Sequence, residues 1–175
     1  MRPLYSFLFC MSLLLGCQTK KFDGVMSLFY KKTVPLVKTE ELIQKMQYQQ
    51  PLLLDTRTRS EFSVSHLPGA QFIEYDDFKP ADVAHIPKNR EIIVYCSVGY
   101  RSERIGEKLL DMGYTKVYNL YGGIFDWKNQ SQIVVNHLNL PTDSVHTYSK
   151  VWSIWLNKGI KAVSYTHLTL PTKCS

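Results

Sequence analysis

A lone cysteine between a strand pattern and a helix pattern constrains this chain more than any other feature. The stretch is Cys96-Ser97-Val98-Gly99-Tyr100-Arg101-Ser102. It follows the apolar run from Glu91 to Tyr95, whose β-branched residues read as a buried strand. Beyond it Ile105, Leu109 and Met112 recur at helical spacing and Gly113 supplies a stop, which predicts a helix from Ser102 to Met112. The cysteine therefore falls where a strand passes through a tight loop into the start of a helix.

That position sets up a reactive thiol. Backbone N–H groups in such a loop can converge on one point as an anion nest, and the helix dipole adds positive potential. Arg101 adds a full charge, and a thiol in this field is expected to ionise readily to the nucleophilic thiolate. Gly99 allows a backbone conformation that a Cβ would forbid, and Ser102 is expected as the N-cap. Cys96 is the expected catalytic residue. Ser97, Val98, Gly99, Tyr100, Arg101 and Ser102 are expected to line its substrate site, with Arg101 aimed at an anion above the sulfur. Val98 and Tyr100 leave the rest of the loop apolar.

Other strand patterns surround this one. Val34 to Val37 reads as a short edge strand, since Pro35 forbids a central one. Thr39 is expected to cap a helix with Glu40 and Glu41 in its first turn and Leu42, Ile43 and Met46 on its apolar side. Leu52 to Asp55 is a continuous apolar strand, followed by a short helix from Arg57 to Val64 and a strand from Ala70 to Ile73. Tyr75 to Lys79 reads as a helical turn, and Lys116 to Leu120 as a further strand. Strands alternating with helices imply an α/β fold with a mainly parallel sheet, whose ligands bind outside the carboxyl ends of the strands.

Together these residues resemble the rhodanese-like sulfurtransferases. The resemblance rests on the Cys96–Arg101 loop with Ser102, on Leu52-Leu53-Leu54-Asp55-Thr56-Arg57, on Glu61-Phe62, on His66-Leu67-Pro68-Gly69-Ala70, and on Leu120-Tyr121-Gly122-Gly123 with Trp127. Five motifs in order cover roughly residues 34–130. The resemblance implies a central mainly parallel sheet flanked by helices on both faces. It also implies a Cys96 persulfide, which takes a sulfane sulfur from thiosulfate or a persulfide and passes it to a thiol or cyanide. Asp55, Arg57 and Glu61 would then brace the sheet edge by ion pairs. Two alternatives stand beside this reading: a cysteine phosphatase or arsenate reductase, whose loop is one residue longer, and a non-catalytic module that docks a partner.

The ends carry separate signals. Arg2, the apolar stretch from Leu4 to Leu15, and Gly16 form a secretory signal too short to span a bilayer. Leu14-Leu15-Gly16-Cys17 resembles a bacterial lipobox, which implies lipidation at Cys17 and a periplasm-facing anchor in the cell envelope. Val163 to Thr172 matches the translation, in one frame, of a transposon-based sequencing adapter. The expected organisation is a signal at 1–16, a lipid-anchored tether at 17–33, the catalytic domain at 34–130, an extension at 131–162, and adapter read-through at 163–175. Within the extension, Tyr148, Val151, Trp152, Trp155 and Leu156 predict an amphipathic helix that packs back on the domain.

These boundaries leave Cys96 as the one cysteine of the folded domain, since Cys10, Cys17 and Cys174 lie in the end segments. An exported chain would ordinarily pair its cysteines, so an unpaired one in such a loop points to reactivity. Setting aside Arg2 and Lys173 leaves 19 basic residues against 15 acidic ones, scattered, with no nucleic-acid footprint. His85, His137 and His146 share no metal-ligand spacing, and Gly122-Gly123 lacks the Lys-Ser/Thr of a phosphate loop and reads as a turn. No metal or cofactor is expected.

Overall fold

The computed structural model describes Gly24 and residues 30–163. The expected signal, Cys17, most of the tether and the segment after Val163 lie outside the described residues.

Five parallel strands form the central sheet: β1 (Leu36–Val37), β2 (Leu52–Asp55), β3 (Gln71–Phe72), β4 (Glu91–Tyr95) and β5 (Lys116–Leu120). Their spatial order is β1-β5-β4-β2-β3, so β4 lies at the centre and β1 at an edge, as Pro35 requires. β4 pairs along its length with β2 and with β5. It can do so because every residue from Ile92 to Tyr95 is fully buried, with side chains alternating between two cores.

Those cores lie on opposite faces. Leu53, Ile93 and Tyr95 point to one, shared with Leu42 of helix α1 (Thr39–Tyr48) and Ile124 and Phe125 of helix α4 (Gly123–Asn129). Leu54, Ile92 and Val94 point to the other, shared with Ile105 and Leu109 of helix α3 (Tyr100–Asp111) and with Val83 and Ile86. Helix α2 (Arg59–Val64) follows β2 and begins with a capping box, in which Thr58 and Glu61 satisfy each other's backbone N–H. This is the expected α/β architecture.

Three local expectations are corrected. Thr39 is the first helical residue of α1, not its cap; its hydroxyl donates instead to Asp126 at 2.7 Å. Ser102 lies inside α3, which begins two residues earlier than expected, with Gly99 in the N-cap position. A 3-10 turn at Pro80–Asp82 replaces the helical turn expected over 75–79.

The residues flanking the sheet are more ordered than their polarity implies. Tyr30 is buried, and the backbone N–H groups of Lys31 and Thr33 donate to the buried Glu103 carboxylate on α3. The end of the expected tether is therefore docked. Past Trp127, β6 (Val134–Val135) pairs antiparallel with β7 (Pro141–Thr142), and Val135 bridges to His66. β8 (Ser144–His146) pairs parallel with β9 (Ile160–Ala162) and lies against α2. The expected amphipathic helix is one turn, α5 (Lys150–Ser153), because Tyr148 adopts φ +61° and Ser149 is extended. Trp152, Trp155 and the buried Leu156 pack on the core as anticipated, while Val151 and Ile154 stay exposed.

Candidate active site

Cys96 follows directly on β4, at the carboxyl end of the central strand. The residue is 1% exposed, and its Sγ accepts the Gly99 N–H at 3.1 Å, so the loop closes back on the sulfur. Gly99 makes this turn with φ +101°, and a Cβ there would lie 2.0 Å from the Tyr30 hydroxyl oxygen. Both the conformation and the space demand glycine.

Two elements brace the loop from behind. The first N–H groups of α4 close on it, with Ile124 N donating to the Cys96 carbonyl at 2.9 Å and Phe125 N to that of Ser97 at 3.2 Å. This approach requires Gly123, where a Cβ would lie 2.2 Å from the Cys96 carbonyl oxygen. Asn119 of β5 supplies the second brace. Its Nδ2 donates to the Gly99 carbonyl at 2.9 Å, and its Oδ1 accepts from Ser102 at 2.7 Å. Ser102 is thus expected at the substrate but buries its hydroxyl against β5. Tyr30 holds the outer side, donating to the Val98 carbonyl at 2.5 Å and accepting from Gly122 N at 3.1 Å. Burial pushes the Tyr30 phenol well above its ordinary pKa, so it stays a neutral donor.

The charges beneath the loop form two pairs. Asp55 and Arg57, both fully buried, meet at 2.6 Å, and Arg57 also donates to the Ser65 carbonyl. Glu61, expected only as a brace, accepts a bidentate pair from Arg101: Nη1 to Oε2 at 2.9 Å and Nη2 to Oε1 at 2.8 Å. Arg101 Nη2 further donates to Ser97 Oγ at 3.1 Å, and Ser97 donates to Glu61 at 3.1 Å. With Thr58 N–H and O–H, the Glu61 carboxylate accepts five hydrogen bonds. Burial alone would raise its pKa. The hydrogen bonds and charge of Arg101, followed by Arg57 and the Thr58 N–H, prevail and lower it from 4.5 to about 2. Burial likewise opposes the Arg101 charge, but Glu61 and the neighbouring Cys96 outweigh it and hold the guanidinium firmly charged.

The extension reaches this cluster. Tyr148 sets its ring 5.4 Å from the Arg101 guanidinium carbon, and the Tyr148 N–H donates to His146 Nδ1 at 3.1 Å. His146 is buried, which lowers its pKa; Glu61 opposes the shift and Arg57 and Arg101 reinforce it. Sequence reasoning missed Asn119, the Tyr30 hydroxyl and Tyr148 at the site. A single Asn within the apolar strand run was the one available signal. His66 packs structurally, with Nδ1 at 3.0 Å from the Phe62 carbonyl oxygen and its ring stacked on Phe62.

With this geometry in place, comparison with known proteins is specific. Residues 38–130 match the rhodanese-like domain. A sulfurtransferase of Allochromatium vinosum is 32% identical over 100 residues, covering 57% of this chain and 92% of that protein. A tRNA uridine(34) hydroxylase of Photorhabdus laumondii is 27% identical over 106 residues, covering 58% of this chain but only 30% of the relative. Among solved structures, a rhodanese-like domain from Anabaena superposes with TM-score 0.54 at 24% identity, covering 58% of this chain and 79% of that one. The family match spans more than half the sequence and contains both the sheet and the Cys96 loop, so this chain belongs to the rhodanese-like domain family.

Proposed function

We propose that this chain is a sulfurtransferase that carries a sulfane sulfur as a persulfide on Cys96, from thiosulfate or a persulfide donor to a thiol or cyanide acceptor. The observation that supports it best is the Gly99 N–H at 3.1 Å from Cys96 Sγ, within a loop only six residues long from Cys96 to Arg101. A loop closed this tightly suits one added sulfur atom; a phosphoryl group would require more room.

The thiolate attacks the outer sulfur of the donor, the sulfur–sulfur or sulfur–sulfonate bond breaks, and a thiolate or sulfite leaves. A nucleophilic acceptor then attacks the outer sulfur of the persulfide and regenerates the Cys96 thiolate. Covalent relay divides one difficult transfer into two easier ones, with rates set by the leaving thiol and by access. The loop residues Ser97 to Arg101 frame the sulfur, while Ser102 acts through Asn119. In the same reading Cys17 carries the lipid that anchors the domain in the cell envelope.

Incubation with either donor class should add about 32 mass units, one sulfur, to the peptide containing Cys96, and cyanide should remove it. Absence of the adduct with every donor, together with Cys96-dependent hydrolysis of an aryl phosphate, would transfer the site to phosphatase chemistry.

A further inference from the structure

The charges around Cys96 cancel. Asp55 pairs with Arg57 and Glu61 with Arg101, so the four groups beneath the loop sum to zero. Arg101 is the one cation contributed by the loop itself. Its Nη2 donates to Glu61 and Ser97 and its Nη1 to Glu61, so its charge is paired, and the Tyr148 ring lies beside its guanidinium. Cys96 itself is buried.

Those facts bear differently on the two donor classes. Attack of a thiolate on thiosulfate brings one negative charge against two, and gives a persulfide anion and sulfite dianion. Three negative charges would share a buried site whose loop cation, Arg101, is already paired with Glu61, and stripping water from a dianion there is costly without a further cation. Attack on an uncharged hydropersulfide, RSSH, brings together a single negative charge. The new bond joins Cys96 Sγ to the outer sulfur, the RS–SH bond breaks, the proton stays on the transferred sulfur, and RS⁻ leaves.

Tyr148 is placed by built structure. Its backbone adopts φ +61°, a conformation uncommon for a residue with a bulky side chain. It is held there by its N–H on His146 Nδ1 and by the adjacent Thr147 N–H on the Ala162 carbonyl, which continues the β8–β9 pairing. The extension beyond residue 130 thus delivers an aromatic ring to the catalytic loop.

Resting on the sulfurtransferase reading, we infer that Glu61 and Tyr148 act together as positioning residues that occupy Arg101, and that this site selects uncharged organic hydropersulfides over inorganic thiosulfate. The full chain is loaded, in separate reactions, with thiosulfate and with the hydropersulfide of N-acetylcysteine methyl ester, and the Cys96 adduct is timed by mass spectrometry. The hydropersulfide should load at least about tenfold faster, the scale of one charge-assisted contact. Tyr148→Asn removes the ring while tolerating the left-handed backbone, and Glu61→Gln removes the countercharge. Each should raise the thiosulfate-to-hydropersulfide rate ratio several-fold, a change that general loosening of the fold would not produce. Equal loading of the wild-type chain by both donors overturns the inference and leaves the sulfurtransferase reading standing. A ratio unmoved in Tyr148→Asn also overturns it, and that variant decides the matter should Glu61→Gln fail to fold. No adduct from either donor overturns the sulfurtransferase reading and this inference with it.

Discussion

The Tyr30 hydroxyl donates to the Val98 carbonyl at 2.5 Å, so a residue that precedes every strand of the sheet holds the middle of the Cys96 loop. The same oxygen accepts the Gly122 N–H, tying the loop to the turn that starts α4. Both partners are buried, and neither has water to turn to if the hydroxyl is lost.

Tyr30→Phe should therefore destabilise the protein by about 1–3 kcal/mol, the range for a buried polar group left unsatisfied. A shift in the urea midpoint with unchanged slope would register it. Because Val98 lies two residues from Cys96, persulfide loading should slow as well. A variant that matches wild type in both measurements would show the phenol to be a passive filler.

Gly99 and Gly113 offer a matched comparison. Both adopt positive φ, but a Cβ at Gly113 meets nothing within 4 Å, while one at Gly99 meets the Tyr30 ring. Gly113→Ala should cost on the order of 1 kcal/mol from backbone strain alone. Gly99→Ala should cost more and should also abolish loading of Cys96, since the Gly99 N–H donates to the sulfur. Equal losses of stability with loading intact would mean that the loop accommodates the methyl by shifting.

The sheet was legible because its strands are short apolar runs with alternating partners, and Ile92 to Tyr95 carry that pattern without interruption. The position of the Cys96 loop was legible because an apolar strand run ends at Tyr95 and a helical period begins a few residues on. Ser102 was misassigned because a serine near a helix start is ordinarily a cap, and only the tertiary position of Asn119 shows where its hydroxyl goes. The pairing of Glu61 with Arg101 joins residues forty apart, and no local pattern encodes such contacts. Tyr148 was read by helical spacing, but a left-handed turn at that residue breaks the period and turns the ring toward the site.

The lipid anchor is a separate proposal that rests on Leu14-Leu15-Gly16-Cys17. Cys17→Ser should move the protein from the membrane fraction to the soluble fraction after high-salt washing, because a lipid chain resists salt while basic residues near headgroups do not. Equal retention of both forms would exclude acylation as the anchor.

The Glu61–Arg101 pair also makes an acid prediction with a definite sign. The Glu61 carboxyl titrates at about 2 in the folded protein against 4.5 in its ordinary state. Between those values the unfolded chain binds a proton that the folded one does not, so protonation favours unfolding. The stability contributed by ionised Glu61 is thus fully present above about pH 4.5 and is lost progressively as the pH falls toward 2. The amount is on the order of 3 kcal/mol, given that the side chain is nearly fully buried. Urea midpoints at pH 7 and pH 3 should converge between wild type and Glu61→Gln, because the variant has no carboxyl to protonate there. A difference between the two proteins that stays constant from pH 7 to pH 3 would mean that Glu61 acts through shape and hydrogen bonding alone, without its charge.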